Sequence, residues 1–91
     1  MYLLAAEDGH GAVCADGSKK IAVEYHFDVW MRVGGFRTTR GWIAAEHTAL
    51  QGLVPAAQVF LETGDGRRWR IEVTEVSGNR AEVRFADWLP I

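Results

Sequence analysis

The sequence predicts an all-β domain: a small closed or partly open antiparallel β-barrel of about six strands, with a short helical insert near residues 45–53. Three observations carry this expectation. Residues 57–85, AQVFLETGDGRRWRIEVTEVSGNRAEVRF, alternate apolar and charged side chains with period two and are punctuated by two glycine-containing turns. A second stretch, Ile21 to Met31, alternates in the same way. Six or seven short strands in 91 residues leave long open edges, and a barrel removes such edges by closing on itself.

At the N-terminus, Tyr2–Ala6 and Gly11–Ala15 are short apolar pieces separated by Glu-Asp-Gly-His-Gly and followed by Asp-Gly-Ser. These turn signals predict two short strands. In Ile21–Met31, the odd residues Ile21, Val23, Tyr25, Phe27, Val29 and Met31 share one face, while Ala22, Glu24, His26, Asp28 and Trp30 share the other. Gly34-Gly35 breaks that pattern and Phe36–Ile43 resumes it, with Phe36, Thr38, Arg40 and Trp42 on a common face. Residues 44–54, AAEHTALQGLV, repeat Ala45, Ala49 and Leu53 at helical spacing, and Gly52 and Pro55 end that segment.

The last three strands form a meander whose register follows from its turns. A three-residue Gly64-Asp65-Gly66 loop, with Gly66 in the left-handed region, pairs Val59 with Ile71, Phe60 with Arg70, Leu61 with Trp69 and Glu62 with Arg68. At Ser77-Gly78-Asn79, a three-residue loop with Asn79 at positive φ is preferred. It pairs Ile71 with Phe85, Glu72 with Arg84 and Val73 with Val83. The buried face is then Val59, Leu61, Trp69, Ile71, Val73, Val83 and Phe85.

Length and composition bound the function. The chain is sized for one domain spanning residues 1–91, and it buries roughly 60–65% of its unfolded surface. The net charge of −2 argues against strong affinity for nucleic acid or anionic membrane. The single cysteine, Cys14, excludes an internal disulfide and fits a reducing compartment. No apolar run reaches the roughly 20 residues of a membrane span, and Met-Tyr-Leu-Leu-Ala-Ala lacks the basic start of a signal peptide. A soluble cytoplasmic protein is expected, with no membrane and no cofactor.

Polar residues with chemical potential each have a plain alternative. Glu24, His26 and Asp28 share a strand face, with Glu46 and His47 in a later loop, so His26, Asp28 and His47 are candidates for a metal, small-ligand or acid–base site. The solvated face of a half-buried strand explains them more simply, because no His-x-His or Cys-x-x-Cys spacing is present. His10 and Cys14 are a candidate thiol–imidazole pair, set against Cys14 as a small buried hydrophobe. Phe60, Arg67, Arg68, Arg70 and Arg84 are expected to form a basic, aromatic sheet face able to meet RNA, but Glu62, Glu72 and Glu82 lie among them and offset that charge. Four tryptophans are more than a small core needs. Trp30, Trp42 and Trp88 are therefore assigned to an interface with a protein partner or a second copy, as homodimer.

Phe27-x-Val29, Gly34-Gly35, Gly41-Trp42-Ile43, Leu53, Val59-x-Leu61 and Ile71-x-Val73 occur in order over residues 25–76. This succession resembles the second-domain β-barrel of the translation GTPases. The resemblance covers a little over half the chain and implies a barrel that contacts RNA, the ribosome or protein. Gly-x-x-x-x-Gly-Lys-Ser/Thr is absent, so GTPase activity does not carry over. The PilZ domain is a neighbouring architecture, but its Arg-x-x-x-Arg and Asp/Asn-x-Ser-x-x-Gly motifs are missing, Arg37-Thr38-Thr39-Arg40 having the wrong spacing.

Overall fold

The computed structural model describes residues 2–15, 19–35, 37–54 and 58–85. It is a closed antiparallel barrel of six strands in the order β1-β2-β3-β6-β5-β4, with β4 returning to β1. The strands are β1 (Tyr2–Ala15), β2 (Ile21–Met31), β3 (Arg37–Ala44), β4 (Val59–Thr63), β5 (Arg68–Ser77) and β6 (Arg80–Phe85); one short helix, α1 (His47–Gln51), links β3 to β4. The alternation of β2 is reproduced: Val23, Tyr25, Phe27 and Val29 are buried, and Ala22 and Glu24 are exposed. Val59, Leu61, Trp69, Ile71 and Val83 are core residues, and Val73 and Phe85 pack against them half-buried.

The first meander turn forms as expected. Val59, Phe60, Leu61 and Glu62 face Ile71, Arg70, Trp69 and Arg68, the Thr63 amide donates to the Arg67 carbonyl at 2.9 Å, and Gly66 has φ +91°. The second turn differs in how it reaches the expected pairs. Ile71–Phe85, Glu72–Arg84 and Val73–Val83 all form, but the register then shifts between Val73 and Glu75, so Ser77 faces Arg80 across a two-residue Gly78-Asn79 loop. A bulge at Thr74 absorbs the odd residue, and Gly78 takes φ 60°.

The N-terminal expectation is corrected. Tyr2–Ala15 is one 14-residue strand and not two strands about a turn. Its glycines make room for neighbours. A Cβ on Gly9 would lie 2.6 Å from the Tyr25 hydroxyl, and one on Gly11 would lie 2.1 Å from the Glu62 carbonyl oxygen. β1 pairs with β2 from Tyr2 to Val13 and joins β4 only from Gly11 onward. Its first half, with β2 and the start of β3, extends beyond the closed part of the barrel, and the molecule measures 38 × 26 × 22 Å.

α1 is shorter than the insert expected over 45–53; Leu50 within it and Leu53 in the turn that follows anchor it, 0% and 3% exposed in the core. Beside the β4–β5 turn, the Arg67 guanidinium donates to Glu7 and Asp65, and the Tyr25 hydroxyl donates to Glu7 at 3.2 Å. The Thr63 hydroxyl and Arg67 hold the Asp65 carboxyl down at about 2, while burial, then the bond to Glu7, raises the Tyr25 phenol.

Candidate functional site

Strand parity places the even residues of β2 and β3 outward, and the pairing brings them side by side. Trp30 faces Thr38, Asp28 faces Arg40, and His26 faces Trp42. Trp30 and Trp42 are both half-buried on this outer face. β6 continues it, with Arg84 opposite Arg40 and Glu82 opposite Trp42. β1 continues it on the other side, where Leu3 faces Trp30 and Asp8 faces His26. Tyr2, Leu3 and Leu4 are 61%, 48% and 37% exposed; of the three, Leu3 is the one paired with Trp30, while Tyr2 pairs with Met31 and the register shifts at Leu4. Trp69, by contrast, is a core residue at 7% exposure, and Trp88 lies outside the described residues.

An open groove of about 780 Å³ crosses this face, lined by His26, Arg40, Trp42, Arg80, Glu82 and Arg84 among others. The Arg80 guanidinium stacks on the Trp42 indole at 4.0 Å from the ring centroid, and the His26 ring is 5.9 Å from it, tilted 25°. His26 is clamped between two carboxylates, with Nδ1 at Asp8 and Nε2 3.0 Å from Asp28. The hydrogen bond to Asp8, chiefly, raises the His26 pKa above 6.5 against the opposing effect of burial, and the Asp28 charge adds to it.

His26, Asp28 and His47 do not share one network. His47 Nδ1 bonds the Gly78 carbonyl at 2.6 Å, at the β5–β6 turn, while His26 and Asp28 bond each other in mid-sheet. Among the described residues, no group of three or more His, Cys, Asp or Glu side chains is placed to hold a metal ion. His10 and Cys14 lie four residues apart on one extended strand, about 13 Å at 3.3 Å per residue, so they do not form a thiol–imidazole pair.

The expected arginine face divides in two. Arg68 and Arg70 point outward beside Phe60 and Glu62, and Arg84 lies beyond them across β5. Arg67 instead has the parity of Trp69 and sits over its ring at 5.8 Å. Arg68 stacks on Phe60 at 4.2 Å and lies 3.9 Å from Glu62, and Lys20 reaches the same Glu62 at 2.8 Å. Lys20, chiefly, lowers the Glu62 pKa. Arg84 meets Glu72 at 3.4 Å.

Sequence reasoning missed Asp8, Arg40 and Arg80. Asp8 was hidden because its segment reads as a turn; as a strand paired with β2, parity alone puts it beside His26. Arg40 and Arg80 become site residues only through the β3–β6 pairing, which joins distant segments. Among the described residues, no helix is long and apolar enough to cross a membrane. The chain matches no protein-family model, no curated protein and no solved structure in the comparisons made.

Proposed function

We propose that this chain is a small, non-catalytic, cytoplasmic binding module that works through protein–protein contact, with a protein partner or a second copy of itself, on the outer face of β2 and β3. One observation carries the reading: Trp30 and Trp42 lie half-buried on the same solvent-facing side, and the exposed Leu3 stands directly across from Trp30. Tryptophan and tyrosine concentrate at interfaces because they bury much area with few rotatable bonds. The RNA-contacting alternative, through Phe60, Arg68, Arg70 and Arg84, is less favoured: Glu62 and Glu72 stand beside Arg68 and Arg84 and offset the positive potential that phosphate binding requires.

Light scattering and affinity capture with host extract test this reading. A mass near twice 10.1 kDa, or a captured protein, is expected for the wild type, and Trp30→Ala or Trp42→Ala abolishes it while the circular dichroism spectrum stays native. A monomer that captures nothing overturns the reading. So does RNA binding that falls steeply with salt and disappears in Arg68→Ala/Arg70→Ala.

A further inference from the structure

Arg40 on β3 and Arg84 on β6 are direct cross-strand neighbours on the outer face. Like charges directly opposite one another in a sheet repel; water screens these two exposed side chains, and few neighbouring acids are placed to pair with them. Asp28 faces Arg40 from β2, but its carboxylate is engaged by His26. Arg40 makes no side-chain hydrogen bond or ion pair among the described residues. Glu72 holds Arg84 only at 3.4 Å, with both side chains more than 60% exposed, so water screens that pair heavily. Both arginines line the groove of about 780 Å³, which Trp42 also lines with the Arg80 guanidinium stacked on its ring, a volume within the range of about 300–1,000 Å³ typical of small-molecule sites.

We propose that this groove binds a small phosphomonoester, with its phosphoryl oxygens between Arg40 and Arg84 and its organic body against Trp42. Planar guanidinium groups bind phosphate oxygens two at a time, which suits a dianion to a pair of them. The charge pattern limits the ligand to a single compact anion. Across the sheet the row runs Asp28, Arg40, Arg84, Glu72, and with strands about 4.8 Å apart this arginine pair is only two strands wide; Arg80, the third arginine of the groove, is stacked on Trp42 four residues along β6. A polynucleotide lying across it meets a carboxylate on either side. His26, held toward its charged form by Asp8, is flanked by Asp8 and Asp28 and so brings no net positive charge to the edge of the groove, and Glu82 is the acid that faces Trp42 from β6. The proposal does not rest on the protein-contact reading, although the two share a face.

The test is an NMR titration of labelled protein with phenyl phosphate, following the Arg Nε–H and Trp indole N–H signals. Saturable shifts at Arg40, Arg84 and Trp42 are expected. Inorganic phosphate, lacking the ring, and benzoate, carrying one charge, bind more weakly. Arg40→Gln and Arg84→Gln each weaken phenyl phosphate by about tenfold or more, while Arg37→Gln leaves it unchanged. Both arginines are exposed, so these variants keep the fold. Absence of saturation, a response matched by sodium chloride at equal ionic strength, or binding that survives both substitutions overturns the proposal. Trp30→Ala separates the two readings, because it removes protein association and leaves the phosphate titration intact.

Discussion

Substituting Gly41 by alanine tests the close approach of β2 and β3 more sharply than any core truncation. A Cβ at this position would lie 1.9 Å from the His26 carbonyl oxygen and 2.6 Å from the Phe27 Cα, both main-chain atoms of β2. Carbon and oxygen approach to about 3.3 Å in sheets, so β2 and β3 must part locally by about 1.4 Å. That displacement takes the flanking ladder bonds out of range. Two lost hydrogen bonds cost about 1–3 kcal/mol, and the overpacking costs about 1–3 kcal/mol more. The expected loss is about 4 kcal/mol, a large part of the roughly 5–14 kcal/mol available to a domain of this length. With a urea slope of about 1 kcal/mol/M, the unfolding midpoint drops by roughly 4 M. Gly66→Ala is the control: Gly66 has φ +91° and open space around it, so its cost is the left-handed penalty of about 1–2 kcal/mol. Urea unfolding followed by circular dichroism ranks the two. If Gly41→Ala is as stable as Gly66→Ala, the inferred close approach of β2 and β3 is refuted.

Two further substitutions address the core and the histidine clamp. Leu61→Ala, at a fully buried position, is expected to cost about 2–5 kcal/mol, whereas Phe60→Ala, on the outer face beneath Arg68, costs about 1 kcal/mol or less; the reverse order in denaturation midpoints contradicts the assigned register. His26 has its pKa raised above 6.5 on folding, so its contribution to stability is fully present below about pH 6.5 and fades as pH rises through the raised value. Thermal unfolding of the wild type and His26→Gln from pH 5.5 to 9 therefore shows a gap of a few degrees at the acid end that closes toward the alkaline end. A gap that widens with pH refutes the clamp.

The parts of the fold legible in the sequence are those governed by local rules. The β4–β5 register follows from one three-residue loop ending in Gly66, and the burial of Trp69 follows from that register. The β2 faces follow from parity over eleven residues. What the sequence hid depends on contacts between distant segments. Gly9 and Gly11 carry the same letters as a turn, and only the nearness of Tyr25 and the Glu62 carbonyl explains them as positions within a strand. The same holds at Gly41, where β3 pairs with both β6 and β2; glycines in strand interiors mark such close backbone approaches at barrel corners. At Thr74 two local preferences compete, a two-residue Gly-Asn turn and the Val73–Val83 pairing, and a bulge satisfies both.

Register also decides where positive charge survives on the surface, which composition cannot reveal. Arg68 meets Glu62 across β4–β5, and Arg84 meets Glu72 across β5–β6, so a count of acids among the arginines describes that side of the barrel well. Across the β3–β6 seam the same alternation puts Arg40 against Arg84. A slip of one residue there would turn every outward side chain of β6 toward the core, so this like-charge pair is fixed by the burial of Ala81 and Val83. A barrel held together by its core therefore presents a like-charge pair to solvent. That pair adjoins the half-buried Trp42, and this conjunction of charge with apolar surface makes the β2-β3-β6 face, rather than the better-matched β4–β5 face, the place to look for a ligand.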